Sequence, residues 1–596
     1  MRWSLLALFV VGSLSAAEKP NVVLIVLDDA GQRDFGCCGS TYHKTPHIDS
    51  LAKESVKFTE ATSACPVCSP SRAALMTGKY PQRFGITDWL PGQPDRPTMA
   101  LARPKLPAGL PLEAVTLAEA LRAAGYDTAH IGKWHLGGAG FEPTRQGFDV
   151  NIGGDHRGHP PSYFAPYEKK QPPLPGLEKA EPGEYLTDRL TAEAVAWMRK
   201  ERTKPFFLHL AHYAPHTPLQ AKPELQKAFA AGKPGSQGNP AYAAMLASID
   251  ESIRDLRKAL VEAKQWESTI VVFTSDNGGL ATLEGLPAAP TYNGPFREGK
   301  GYLYEGGLRV PLLIRGPGIS TFSTVAGPVN GIDVMPTILD LCGVAGPKDL
   351  DGVTLKPLMT GGALPPRDLF WHYPHYANQG GKPGGAIRSG EYKLIEFYEP
   401  HYELEPRLRR ELFHVAKDVS ESRNLAEEKP NMVAELAAKL AAWRTNVNAV
   451  MPTGNPNHLP NPQAADGSIA MHARTAKVFG TQLRFEPLPH KNTLGFWTNA
   501  KDYAEFECTV TTGGPFEVEA TYGCGKGSGG AEVEIVAGKE GFRFIVEDTG
   551  GFQAFVVRKL GSLTLPEGRR KLRVQALTKP GVAVMDLQQL RLKPAK

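Results

Sequence analysis

The sequence predicts an α/β protein: a large, mostly parallel sheet with helices on both faces, then a small α+β part, then an all-β sandwich. Three observations carry this. Between Asn21 and Ile338, continuous apolar runs alternate with amphipathic helical stretches, the pattern of strands buried on both faces and joined by helices. MPTGNPNHLPNPQ, residues 451–463, is rich in Pro and Asn and reads as a connection. Beyond residue 466 the pattern becomes short alternating strands with Gly-rich turns, as in a sandwich.

In chain order, residues 1–17 read as a signal peptide. Arg2 is the basic start, LLALFVVGSL the short apolar stretch, and Ser15 and Ala17 the small residues around a cleavage point. That stretch is too short to cross a bilayer, and no later segment reads as a membrane span. The chain is therefore expected to be exported, periplasmic or secreted. The main α/β unit is expected over 18–365. Its strands are NVVLIVLDD, TAHIGKW, FFLHLAHY and TIVVFTSDNGG, and its helices include TLAEALRAAG and DRLTAEAVAWMRKE. The small α+β part follows over 366–452, with strands in AIRSGEYKLIEFY and RRELFHV and a helix in MVAELAAKLAAWRTNV. Residues 453–465 read as a linker. Residues 466–596 read as the sandwich, with DYAEFECTV, FEVEATY, AEVEIV, FRFIVED, KLRVQAL and VMDLQQLRL as strands.

At 596 residues the chain exceeds what one core usually serves. A net charge of +5 is too small to argue for a nucleic-acid partner. Seven cysteines, an odd count in an exported chain, leave at least one free or modified. None shows a metal-type spacing, and no disulfide is expected between Cys508 and Cys524, which fall out of register on neighbouring strands.

Ligands of open α/β sheets gather at the carboxyl ends of the strands. Asp28, Asp29, Lys133, His135, His216, Asp276 and Asn277 all follow an apolar run. Asp28, Asp29, Asp276 and Asn277 offer hard oxygen ligands that suit Ca²⁺ or Mg²⁺ rather than zinc. One Asp pair alone would equally serve as a turn or cap; the second cluster favours a metal. Arg72, Lys133, His135, His216 and Lys300 form a basic set. A divalent ion among cations and histidines suits transfer of an anionic group, phosphoryl or sulfuryl. CSPSRAALMTG, Cys68–Gly78, completes the picture. Ser69 reads as the N-cap, Pro70 as the first helical residue and Gly78 as the stop. Cys68 then lies just outside a helix N-terminus, with Arg72 one turn in, a place that favours negative charge. A thiol there is expected to have a lowered pKa.

CSPSRAALMTGKYP resembles the signature of the type I sulfatases, C-x-P-S-R with T-G after four further residues. NVVLIVLDD, GKWHLG, APHTP, SDNGG and GKGYLYEGGLRVP are similar to that family's other blocks, in order. The resemblance implies the alkaline-phosphatase-like fold, with its large mixed sheet flanked by helices. It implies one active-site Ca²⁺, and conversion of Cys68 to formylglycine by a separate maturation enzyme. It also implies a route: one hydroxyl of the hydrated aldehyde attacks sulfur, the other is then deprotonated, and sulfate leaves as the aldehyde re-forms. On this resemblance Asp28, Asp29, Asp276, Asn277 and the group at position 68 surround the ion. Arg72 holds the diol's charge, and Lys133 and His135 flank the nucleophile, His135 as base. His216 and Lys300 bind sulfate on the leaving-group side, His216 as general acid. Two other activities fit the same residues: a phosphodiesterase or phosphonate monoester hydrolase of the superfamily, and an inactive sugar-binding protein if Cys68 stays unconverted.

FWHYPHY, Phe370–Tyr376, suits either a sugar ring or packing at a seam. GGDHRGH, Gly153–His159, is a polar loop expected near the substrate. LGFWTNAKDYAEFECTV, GPFEVEATYGCG and VMDLQQLRL resemble carbohydrate-binding sandwiches of the galactose-binding-like class. A sulfated carbohydrate substrate and a glycan on this module are the partners that follow. Trp497 and Tyr503 are candidate platforms or else core aromatics. Arg474 stands where related modules carry an acid, so a second calcium at Asp586 is not expected.

Overall fold

The computed structural model describes residues 19–168, 171–232, 235–319, 323–400 and 408–595; the expected signal peptide lies outside them. Eight strands form the main sheet: β1 (Asn21–Leu27), β2 (Val56–Thr62), β3 (Asp127–Gly132), β4 (Val150–Ile152), β5 (Phe206–Ala211), β6 (Thr269–Ser275), β7 (Leu312–Arg315) and β8 (Ser323–Asn330). Their order is β4-β3-β5-β1-β6-β7-β2-β8. β7 runs antiparallel to both neighbours, and the other pairings are parallel. The four apolar runs are β1, β3, β5 and β6.

β1 shows why such a strand must be apolar throughout. Val23, Ile25 and Leu27 enter one core, shared with α3 (Leu186–Met198) and α4 (Pro240–Glu262). Val22, Leu24 and Val26 enter the other, shared with α1 (Cys68–Thr77) and α2 (Leu117–Ala123). Alternate side chains face opposite sides of a sheet, so burial of both sides requires every position to be apolar. α2 begins with a reciprocal cap legible in TLAE: the Thr116 hydroxyl accepts from Glu119 N, and the Glu119 carboxylate accepts from Thr116 N.

A four-stranded antiparallel sheet follows: β9 (Asp368–Tyr373), β10 (Gly384–Ser389), β11 (Tyr392–Pro400) and β12 (Leu408–His414), packed on α5 (Pro430–Asn446). FWHYPHY lies mainly in β9, and its first four members make packing contacts within the protein. Phe370 stacks on Trp443 at 5.0 Å. Trp371 and Tyr373 are buried, bonded to Ser63 O and Asp88 Oδ1. His372 sits between the Tyr398 hydroxyl and Val450 O.

The C-terminal part is two facing sheets, of six and five strands, around one apolar core. Trp497 lies wholly inside that core, its indole N–H donating to Asp502 O at 2.9 Å. It is a core residue and not a ligand platform. Tyr503 is half-buried, stacked on Phe479 at 4.4 Å with Arg573 over its ring. Cys508 and Cys524 are both free. Residues 453–465, expected as a linker, are fastened on both sides. Thr453 and Gly454 pair with Ala102 and Leu101, and Asn461 Nδ2 donates to Glu507 O at 2.7 Å.

Candidate active site

Register brings the two acidic clusters together. Leu27 of β1 is paired with Ser275 of β6, so Asp28 and Asp276 leave the sheet side by side. Asp29 follows in a left-handed conformation (φ 67°). Its Oδ1 accepts from Asn277 Nδ2 at 2.8 Å, and its N–H donates to Asp276 Oδ1 at 3.2 Å.

The cations arrive from three other segments. Lys133 follows β3, and its Nζ lies 2.7 Å from Asp28 Oδ2. Gly132 makes this approach possible: it has φ 108°, and a Cβ there would sit 1.9 Å from Ala211 O. Arg72, on α1, places Nε and Nη2 each 2.8 Å from Asp276 Oδ2 and donates through Nη1 to Lys133 O. Lys300 Nζ reaches Asp29 Oδ2 at 2.8 Å and His216 Nε2 at 3.0 Å. Acids and cations from distant segments thus interleave in one buried cluster.

Cys68 is 2% exposed, and its Sγ and one ligand atom each of Asp28, Asp29 and His216 lie within 4.8 Å of one another. His216, expected on the leaving-group side, joins this group. Asp276 stands outside it, with both oxygens engaged by Asp29 N and Arg72. Two expectations are corrected. The helix begins at Cys68 itself, and Ser69 does not cap it. The Ser69 hydroxyl instead donates to His135 O at 2.8 Å and accepts from Leu90 N at 3.0 Å, tying the helix to two neighbouring loops. Nor is the Cys68 thiol activated. Burial pushes it up to about 12, outweighing Lys133 and Lys300.

The residues fit a hard divalent cation. Asp28 Oδ1 and Asn277 Oδ1 are buried without a hydrogen-bond partner, and each such acceptor costs about 1–3 kcal/mol. Two unmet oxygens beside a second carboxylate are an oxygen-ligand set. The two adjacent aspartates respond oppositely to their surroundings. Burial pushes Asp28 up to about 8 against the pull of Lys133. For Asp29, burial is outweighed by the charge of its neighbours, Lys300 first, which hold it below the usual carboxylate range.

The histidines differ in what they offer. His135 Nε2 lies 2.8 Å from Leu90 O; a carbonyl only accepts, so that nitrogen carries the proton. Nδ1 is buried without a partner and is a free base. Burial, then Lys133, keeps His135 neutral. His216 donates from Nδ1 to Thr217 O at 2.7 Å, and its Nε2 accepts from Lys300. Burial, then Lys300, keeps it neutral too, so the proton on this side rests on Lys300.

The GGDHRGH loop lies over the site. Asp155 O accepts from His135 N at 2.9 Å, a Cβ on Gly158 would meet the His135 ring at 2.6 Å, and the exposed His159 ring is 6.2 Å from that of His216. Two supports carried no signal in the sequence. The Tyr242 hydroxyl lies 3.1 Å from Asp29 O, and Gln379 pairs with Glu284 beside the Lys300 loop.

A mixed sheet whose strand ends gather paired hard ligands, fixed cations and a buried helix-start residue defines a hydrolase of anionic esters. Within that class the chain belongs to the sulfatase family: residues 20–344 match the family itself, and residues 297–446 match the N-sulphoglucosamine sulphohydrolase C-terminal family. It has the alkaline-phosphatase-like sulfatase fold and is a sulfuric ester hydrolase. It is 33% identical to N-acetylgalactosamine-6-sulfatase of Canis lupus familiaris over 417 residues, 66% of this chain and 75% of that one. It is also 33% identical to arylsulfatase A of Homo sapiens over 426 residues, 66% of this chain and 78% of that one. The structure of Ps i-CgsB in complex with k-i-k-neocarrahexaose superposes with a TM-score of 0.60 at 31% identity, covering 72% of this chain and 93% of that one. Among the described residues no helix is long and apolar enough to cross a membrane.

Proposed function

We propose that the protein is an exported sulfatase that removes sulfate from a sulfated carbohydrate, using a formylglycine made from Cys68 and one Ca²⁺ held by Asp28, Asp29, Asp276 and Asn277. The observation that carries this is Cys68 itself, buried at a helix start among these residues with its thiol held protonated. As a thiol it is a poor nucleophile at neutral pH, yet Asp28, Asp29 and His216 each bring a ligand atom within 4.8 Å of its Sγ.

When bound, Ca²⁺ supplies charge neutralisation for the sulfate and the attacking oxygen. A formylglycine at position 68, once hydrated, supplies the two hydroxyls that take up and then release the sulfuryl group. The chain's own residues do the rest. Arg72 and Lys133 hold fixed positive charge beside position 68. His135 Nδ1 takes the proton from the second hydroxyl. Lys300, hydrogen-bonded to His216, holds the proton available to the leaving alcohol, refining the choice of His216 alone as acid.

Sugar as the substrate is supported by two relatives, N-acetylgalactosamine-6-sulfatase and the complex of Ps i-CgsB with k-i-k-neocarrahexaose, and by the polar loop at the mouth. Export, cleavage after Ala17, a maturation enzyme and a glycan partner for the sandwich belong to the same proposal. A glycan there would be recognised without Trp497. The test is the purified full chain against sulfated mono- and oligosaccharides beside a phosphate diester, with released sulfate and phosphoester cleavage measured. Sulfate release from a sugar ester is expected to dominate; turnover of the diester alone would overturn the reading.

A further inference from the structure

Lys300 rides on a loop, residues 293–304, with no strand or helix to hold it. Glu298 within the loop takes a left-handed backbone (φ 59°), which costs a non-glycine residue about 1–3 kcal/mol and persists only when the surroundings over-determine it. Part of that support is local. Asn293 Nδ2 donates to Glu298 O at 3.0 Å, Gly306 N to Arg297 O at 2.8 Å, and Lys300 N to Gly279 O at 3.1 Å.

The rest comes from outside. Arg297 is half-buried, its guanidinium 3.8 Å above the Tyr304 ring, and its Nη1 donates to Glu421 O at 3.2 Å. Glu421 is buried and itself left-handed (φ 49°). Its Oε2 accepts from Glu305 N at 2.7 Å, just past the loop, and its Oε1 pairs with Lys393 at 3.0 Å. The next residue, Ser422, accepts at its carbonyl from Arg484 Nη1 at 3.3 Å. Arg484 belongs to the sandwich, in the strand Arg484–Glu486, and its stem is fixed because the guanidinium stacks 3.6 Å over Phe496. The Phe485 ring lies near a second support. A Cβ on Gly380 would meet its ring at 3.9 Å, in the turn where Gln379 O accepts from the Tyr302 hydroxyl at 2.8 Å. Arg297 and Arg484 line one cavity of about 370 Å³ at this seam.

The geometry points to Arg484 as a positioning residue: from the sandwich it holds the Glu421–Ser422 turn against Arg297 and so keeps Lys300 between Asp29 and His216. The C-terminal sandwich is thereby part of the support of the sulfate site rather than an appended module. This rests on the reading of Lys300 as a sulfate-binding residue.

The test is calorimetric titration of the full chain with inorganic sulfate in Ca²⁺ buffer, for Lys300→Ala, Arg484→Ala, Arg484→Lys and the Lys300→Ala/Arg484→Ala double variant. Residues that act through one another are not additive. Arg484→Ala is expected to weaken sulfate about fivefold or more, Arg484→Lys to restore part of it, and the double variant to match Lys300→Ala. Arg484→Gln, which keeps part of the stem, serves if the alanine variant does not fold. Wild-type sulfate affinity in Arg484→Ala, even with a lowered melting temperature, overturns the inference, as does an equal loss in both backgrounds. Unchanged affinity in Lys300→Ala would instead overturn the site reading on which it rests.

Discussion

The carboxyl ends of the main sheet and the interior of the C-terminal sandwich are equally buried, and they bury opposite things. At the strand ends Asp28, Lys133, Asp276 and Asn277 are fully inaccessible. In the sandwich the inaccessible residues are Trp497, Phe506, Val518, Leu590 and their apolar neighbours. Charge in a low-dielectric interior survives only when each group meets its opposite, so removing one member strands another. An apolar core answers a deletion with a cavity whose cost depends on local collapse. The first region is a network and the second a sum of contacts, which predicts different consequences for substitutions of similar burial.

The largest effect belongs to Cys68. Cys68→Ala is expected to fold and to show no turnover, because it removes the group proposed to become the nucleophile. Cys68→Ser, with serine confirmed unconverted, is expected to give at most one slow turnover and then to persist as a serine sulfate ester, visible by intact mass. Sustained turnover in that variant would sink the two-hydroxyl route. Asp276→Ala comes next. It strands Arg72, which has its closest ion pair there, and it removes a proposed metal ligand. Loss of turnover and of Ca²⁺ binding is expected, with about 3–5 kcal/mol lost from stability, read by calorimetry and denaturant unfolding. Full activity would remove Asp276 from the site.

Phe506→Ala tests the other side of the comparison. Phe506 is fully buried in the sandwich, and about 3–5 kcal/mol of stability should go with it. Turnover of a small sulfate ester per folded molecule should not change. A drop at temperatures where the variant is folded would mean that the sandwich core is coupled to the chemistry more broadly than through Arg484.

The smallest expected effect concerns an acid in the sandwich that lacks a network. Burial, then Glu486, pushes the Asp586 carboxyl up to about 7, and Gln553 Nε2 donates to it at 3.1 Å. A group whose folded pKa is raised contributes stability below its unfolded pKa, and that contribution is lost as pH rises through the folded value. Asp586 therefore depresses stability progressively between pH about 4 and about 7. Asp586→Asn should flatten this part of the profile in unfolding midpoints measured from pH 4 to 8. An unchanged slope would show that solvent already meets the charge.

Much of the architecture was legible in the sequence, for a local reason. A strand buried on both sides has to be apolar at every position, so NVVLIVL, TAHIG, FFLHLA and TIVVFTS announce themselves, and the polar residues that end them mark where a ligand binds. TLAE carries its own cap. The sulfatase blocks named the family before any coordinate did. Other features are set by contacts between residues far apart in the chain, and no local pattern encodes those. Ser69 looked like a cap because its immediate neighbours suit one, yet its hydroxyl is claimed by His135 and Leu90 across the fold. The Cys68 thiol looked activated by its helix end, yet burial raises its pKa instead. PNPQ looked like a free connection, yet its backbone is held by the strand beginning at Tyr503. Whether Lys300 keeps its place at the proposed sulfate site is, on our inference, decided by Arg297, Glu421 and Arg484, brought from three parts of the chain. Strand identity follows from which side of a sheet each residue must face, a property of a few neighbours. Protonation, support and register follow from how much of the rest of the protein closes over a group, and only the folded chain decides that.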